Sequence, residues 1–170
     1  MPVVPIAVNV SSLQLRSPSF VDEIAQAVGV EAGAAAGLQL EITESMIMGD
    51  IEASIVTLQK IRSMGISIAL DDFGTGFSSL SYLARLPVTT IKIDRSFVVD
   101  MEKSASGESL IASMIQLSQS LRLKVVAEGV ETETQASLLL SHGCDELQGY
   151  LFGRPMPTEQ FEEQFLRPAA

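Results

Sequence analysis

The sequence has one cysteine, one histidine and no tryptophan. A single cysteine, Cys144, excludes an internal disulfide and a cysteine-based zinc site, and it suits a reducing cytoplasm. We expect Cys144 to be a small buried apolar residue. His142 precedes Gly143, where a helix should end, and this position favours a surface residue at a helix terminus over a catalyst. The composition therefore disfavours chemistry driven by histidine.

Basic side chains are also scarce. The chain has 11 Lys and Arg against 21 Asp and Glu, a net charge of −10. The negative electrostatic field of such a chain repels phosphate backbones, so we expect no binding to DNA or RNA polymers. Apolar runs stop far short of the roughly 18 residues that span a bilayer, and a basic signal-peptide region is lacking. We therefore expect a cytoplasmic protein without membrane insertion.

Charged residues make up 19% of the chain and hydrophobic residues 46%. An average soluble domain has roughly 25% charged residues, so much of this chain must be buried. A chain of 170 residues is long enough to bury about 70% of its unfolded surface in one core. We expect residues 1–170 to form a single domain.

Six short apolar runs alternate with helical patterns. The predicted strands span residues 3–10, 38–42, 66–70, 90–93, 124–127 and 146–148. The predicted helices begin at Ser17-Pro18, after Asp50, near Leu80, near Leu110, after Thr132 and near Thr158. Alternation with continuously apolar strands predicts a parallel sheet covered by helices, which is the α/β class.

Polar side chains stand at the carboxyl ends of all these strands: Asn9, Glu41, Asp71 with Asp72, Lys92, Glu128 and Gln148. One acid after a strand is more often a helix cap or a solvated loop residue. In a βα barrel, however, the carboxyl ends share one face, and active sites are built there from several strands. The whole set therefore predicts a shared site.

Several neighbouring carboxylates repel one another, by about 4 kcal/mol per pair at an effective dielectric near 20. A cation should therefore hold them, and an all-oxygen ligand set favours Mg²⁺ or Mn²⁺ over zinc or iron. The adjacent pair Asp71-Asp72 suits two metals, as in phosphodiester hydrolysis. Lys92 could act as a base only with a lowered pKa, whereas nearby acids raise it. We favour a role for Lys92 in orienting water and stabilising charge.

The loop at residues 74–79 follows this acid pair and carries two glycines. It fits either a tight turn whose serines cap the next helix or a mobile loop that positions Asp72. Asp72-Phe73-Gly74 is similar to the magnesium-binding triplet of protein kinases, but the other kinase motifs are missing. Gly74 and Gly76 also lack the third glycine of a dinucleotide fingerprint.

Six blocks together resemble the EAL-type phosphodiesterases, which hydrolyse the bacterial second messenger cyclic di-GMP to linear pGpG. They occur in order over essentially the whole chain. The blocks are Val8-Asn9-Val10-Ser11, Leu40-Glu41-Ile42-Thr43-Glu44, Asp71-Asp72-Phe73-Gly74-Thr75-Gly76, Ile91-Lys92-Ile93-Asp94, Ala127-Glu128-Gly129-Val130-Glu131 and Gln148-Gly149-Tyr150-Leu151-Phe152.

The resemblance implies a role for each matching polar residue. The first metal would be held by Asn9, Glu41 and Asp71, and the second by Asp71, Asp72 and Glu128. Lys92 and Gln148 would contact the catalytic water. Glu131 would steady the loop after Asp72, with Glu44 as a further supporting candidate.

The family barrel has eight strands and carries its Glu-Ala-Leu motif on the second, whereas this chain resembles it from the third strand onward. We therefore expect an incomplete TIM-type barrel, equivalent to strands 3 to 8, with two open edges. Weak or absent hydrolysis and a homo-oligomer follow from this expectation. The resemblance also leaves room for a regulatory domain upstream in a longer parent protein.

Two other functions fit the same residues. One is a non-catalytic cyclic di-GMP receptor or interaction module, as in degenerate members of the family. The other is an enolase-like barrel, in which acids on successive strands bind Mg²⁺ and a lysine abstracts a proton. The adjacent pair Asp71-Asp72 fits two metals better than that arrangement of one acid per strand.

Overall fold

The computed structural model describes residues 5–29, 33–76 and 80–166. Its six strands are all parallel and lie in sequence order in one curled sheet, which is an incomplete TIM-type barrel. The strands are β1 (Ile6–Asn9), β2 (Leu38–Thr43), β3 (Ser67–Phe73), β4 (Thr90–Ile93), β5 (Lys124–Ala127) and β6 (Glu146–Leu147). The predicted α/β class and the incomplete TIM-type barrel are confirmed.

Helices follow the strands and cover the outer face of the sheet. They are α1 (Ser12–Leu15), α2 (Phe20–Val28), α3 (Glu44–Ile47), α4 (Ile51–Ser63), α5 (Leu80–Leu83), α6 (Arg95–Met101), α7 (Ala105–Ser120), α8 (Glu133–Ser141) and α9 (Thr158–Phe161). A 3₁₀ turn, Ala34–Gly37, precedes β2, and a π-helical turn, Glu162–Leu166, follows α9.

The apolar pattern missed three of these helices. α1 and α3 have four residues each, too few for a helical period to register. α6 contains adjacent valines, which favour a strand. The Asp94 side chain nevertheless accepts a hydrogen bond from the Ser96 backbone N–H at 3.0 Å, and this cap starts the helix. The predicted capping box of Thr132 and Gln135 is confirmed at the start of α8.

The core lies between the sheet and its helices and is built from the central strands, with all four residues of β4 buried. Cys144 is buried, as predicted, and its burial raises the pKa of the thiol to about 11. His142 caps the carboxyl end of α8, and its Nε2 atom lies 3.0 Å from Glu108 Oε1. The burial of Cys144 and the position of His142 at a helix terminus are therefore confirmed, although His142 is partly buried.

Two predicted features lie outside the described residues: the first part of the first strand, at residues 3–4, and the serines of the 74–79 loop that would cap the next helix. Among residues 5–29, 33–76 and 80–166, no helix combines the length and apolar character needed to cross a membrane.

Candidate active site

Lys92, on β4, lies at the centre of the polar residues and is only 4% exposed. Its Nζ atom is 2.5 Å from Glu128 Oε1, 2.6 Å from Glu41 Oε1 and 3.4 Å from Asp71 Oδ1. One ammonium group on β4 thus contacts acids on β2 and β3 and an acid directly after β5. The parallel sheet brings these carboxylates together, as the strand-end pattern predicted.

The charge balance around Lys92 keeps the lysine protonated. Burial favours the neutral amine and lowers its pKa, but the hydrogen bonds to Glu128 and Glu41 outweigh burial and raise the pKa of Lys92 above its ordinary value. The nearby charges of Glu128 and Asp71 act in the same direction. A lysine in this environment donates hydrogen bonds at neutral pH and is a poor general base.

The end of β3 places two consecutive acids at the site. Consecutive residues of a regular strand point to opposite faces of a sheet. Here the β3–β4 register shifts between Leu70 and Phe73, and Asp72 has a left-handed φ of 53°. Asp71 Oδ1 accepts a hydrogen bond from the Asp72 backbone N–H at 3.1 Å. This irregularity turns both carboxylates toward the same cluster.

Three of the acids form a group that fits a divalent cation. Asp71, Asp72 and Glu128 each offer a carboxylate oxygen, and these oxygens lie within 4.8 Å of one another. Burial, together with Asp71 and Asp94, raises the pKa of Asp72, while burial raises that of Glu128 against the opposing effect of Lys92. The ionised forms of Asp72 and Glu128 are therefore disfavoured without a cation. Hard oxygen donors of this kind suit Mg²⁺ or Mn²⁺.

Asn9 lies at the edge of the sheet. The β1–β2 register places it beside Glu41, and its side chain is exposed. Glu41 itself is buried against Lys92. Two of the residues predicted to hold the first metal thus lie in different environments: Glu41 is buried, and Asn9 is exposed at the edge of the sheet.

Gln148 and Glu131 line one pocket together with Glu128 and Arg95. The Glu131 carboxylate accepts a hydrogen bond from Arg95 at 2.7 Å, and the Arg95 stem passes over Gly129, where a Cβ atom would overlap it. Sequence reasoning missed Arg95, which adds a cation at the rim. The sequence feature that could have indicated Arg95 was the polar pair Asp94-Arg95, which directly follows β4.

The loop after Asp72 is contacted by Glu44. This carboxylate is 93% buried and has no hydrogen-bond partner among the described residues. A Cβ atom on Gly76 would lie 3.0 Å from Glu44 Cδ. The Glu131 carboxylate contacts Arg95 at the start of α6, and a role for Glu131 at this loop stays a prediction.

Together these features define an incomplete TIM-type barrel with a carboxylate site at the carboxyl ends of its strands. The chain matches the family model for the EAL domain over residues 1–155. It therefore belongs to the EAL domain family.

Two similar proteins from Pseudomonas aeruginosa carry names that state an activity. The bifunctional diguanylate cyclase/cyclic di-GMP phosphodiesterase MucR is 46% identical over 155 residues, which are 91% of this chain and 23% of MucR. The cyclic di-GMP phosphodiesterase NbdA is 45% identical over 162 residues, which are 95% of this chain and 21% of NbdA. The chain thus spans less than a quarter of the length of these curated relatives.

Solved structures agree with the fold and extend the comparison to ligands. A complex of the PaMucR phosphodiesterase with c-di-GMP has a TM-score of 0.88 and 45% identity, covering 92% of this chain and 64% of that one. The EAL domain of Mycobacterium smegmatis DcpA has a TM-score of 0.85 and 39% identity, with coverage of 95% and 73%. Klebsiella pneumoniae BlrP1, in a manganese and cyclic di-GMP complex, has a TM-score of 0.79 and 31% identity, with coverage of 89% and 39%.

Proposed function

We propose that this site belongs to a metal-dependent phosphodiesterase that hydrolyses cyclic di-GMP to linear pGpG. The observation that carries the proposal is the cluster in which Lys92 contacts acids from three strands while Asp72 completes a group of three carboxylates. The names of MucR and NbdA support the substrate.

Each residue then has a role set by its position. Asp71, Asp72 and Glu128 would hold one Mg²⁺ or Mn²⁺ ion, and Asn9 with Glu41 and Asp71 would hold a second. Such ions make a bound water nucleophilic near neutral pH and stabilise charge on phosphate oxygens. Lys92, which stays protonated, orients the attacking water and stabilises developing negative charge. The Gln148 amide completes the positioning of that water, and Glu131 keeps Arg95 at the rim.

The proposal also covers the domain that carries the site, its location and its association. Residues 1–170 act as one partial barrel domain in the cytoplasm, with weak or no turnover by themselves. The chain associates with a second copy, because the apolar residues Ile6 and Val8 of β1 are exposed. Regulation would come from a further domain of a longer parent protein.

A chromatographic assay for pGpG with Mn²⁺ and Mg²⁺ tests the function. We expect slow, metal-dependent formation of pGpG that is lost in Asp71→Asn. A matched protein carrying the upstream Glu-Ala-Leu segment should be much faster. Binding of cyclic di-GMP without turnover in both proteins would instead identify a receptor, and turnover of carboxylic acids would favour the enolase-like alternative.

A further inference from the structure

Gly149, which directly follows Gln148, lies flat against the backbone of Val130. A Cβ atom on Gly149 would overlap the Val130 carbonyl oxygen and nitrogen and would lie 2.7 Å from the Val130 carbonyl carbon. Gly149 is not among the glycines with positive φ. The close approach of two backbones, and not an unusual conformation, is therefore what requires glycine here.

Two hydrogen bonds hold the same contact. The Val130 N–H donates to the Gln148 carbonyl at 3.0 Å, and the Leu151 N–H donates to the Val130 carbonyl at 3.1 Å. Val130 is completely buried. It follows Glu128 by two residues, so the loop that carries Glu128 and the segment that carries Gln148 are joined at this point.

Few other backbone contacts hold Gln148. β6 has two residues and is an edge strand, paired with β5 only through Glu146 and Leu147. The Gln148 N–H also donates to the Ala127 carbonyl at 2.8 Å. Glu128, by contrast, follows an interior strand, and its N–H donates to the Ile93 carbonyl at 3.0 Å. A group forced between the two segments would therefore displace Gln148 more readily than Glu128.

We propose that Gly149 is a positioning residue that holds Gln148 in the pocket it lines together with Glu128, by letting the two backbones touch. The inference rests on the proposed function, because it assigns Gln148 to the attacking water. A methyl group at residue 149 moves Gln148 by about 1 Å, and a displacement of that size at a reacting centre costs on the order of 100-fold in rate. The carboxylates that would hold metal stay in place.

Gly149→Ala and Gly153→Ala form a matched pair in the same segment. A Cβ atom on Gly153 would meet its nearest neighbours at 3.9 and 4.0 Å, which is ordinary contact. In the matched protein that carries the Glu-Ala-Leu segment, with Mn²⁺ and cyclic di-GMP, we expect kcat to fall on the order of 100-fold in Gly149→Ala, with KM and the Mn²⁺-dependent rise in Tm unchanged. The kcat of Gly153→Ala should stay within about twofold of that of the unsubstituted protein.

Hydrogen exchange of the Val130 and Leu151 amides gives a readout that needs neither substrate nor metal. We expect both amides to exchange faster in Gly149→Ala and not in Gly153→Ala. If the matched protein with the Glu-Ala-Leu segment shows no turnover, the proposed function fails, and unchanged exchange in Gly149→Ala would separately overturn the contact. If turnover is present, an unchanged kcat overturns the positioning role. Loss of the Mn²⁺-dependent rise in Tm in Gly149→Ala also overturns the positioning role, because that loss indicates general damage to the site.

Discussion

Strands β4 and β1 are both four-residue strands that carry one polar residue of the predicted site, yet they occupy opposite environments. Every residue of β4 is buried, whereas every residue of β1 is exposed. Their functional side chains differ in the same way. Lys92 is surrounded by carboxylates, and Asn9 lies at an open edge. Position in the sheet therefore decides which polar side chain is buried among charged partners and which stays exposed.

Replacing Lys92, the lysine at the centre of the acidic cluster, should have the largest effect. Lys92→Met leaves the buried Glu41 and the partly buried Asp71 and Glu128 near one another without their shared partner. Breaking a buried ion pair costs about 3–5 kcal/mol of unfolding free energy. In a longer chain with the Glu-Ala-Leu segment, kcat should also fall on the order of 10²–10³-fold while KM changes little. Urea unfolding and steady-state kinetics measure the two effects.

Asn9→Ala is the comparison on β1. It removes an exposed side chain and should change the free energy of unfolding by less than about 0.5 kcal/mol. Equal destabilisation by the two variants would show that the edge and the interior are not different environments.

Divalent metal should act mainly through the interior acids. Mn²⁺ at about 100 times its Kd stabilises the fold by roughly 2.7 kcal/mol, which raises Tm by about 5–10 °C for a chain of this size. We expect Glu128→Gln and Asp71→Asn to abolish most of this rise and Asn9→Ala to lower it only slightly. Calorimetry with and without Mn²⁺ decides this. A rise that survives in Glu128→Gln would place the metal elsewhere.

The exposed edge should control self-association. Val8 on β1 is 43% exposed, and an apolar strand edge invites pairing with another chain. We expect Val8→Lys to shift the chain toward monomer in light scattering. Val56→Lys, at an exposed residue of α4, is the matched control and should leave the association unchanged. A chain that is monomeric without either change would falsify this prediction.

The smallest effect concerns Asp72. Its folded pKa is raised, so its carboxylate lowers the stability of the metal-free chain above that pKa, and the penalty disappears at low pH, where the acid is protonated in both states. Asp72→Asn should therefore raise Tm slightly at pH 7, and Asn also tolerates a left-handed φ. The gain should vanish below about pH 4. A gain that persists there would have a cause other than charge.

The sequence by itself determined the alternation of strands and helices, because parallel strands must be continuously apolar. It also determined the strand-end polar set, because carboxyl ends of parallel strands meet at one face. Those inferences needed only periodicity and position along the chain. The EAL family was recognisable from the same blocks, and the family match confirms it.

Only the tertiary structure decided how those residues meet. It placed Glu41 and Glu128 on one ammonium group, turned Asp72 toward Asp71 through a register shift, and brought Glu44 to Gly76. A sequence pattern reports which face a strand residue occupies, but not the bulge that changes that face or the distance between loops. These depend on packing between elements far apart in the chain, where burial and neighbouring charge set the chemistry of each side chain.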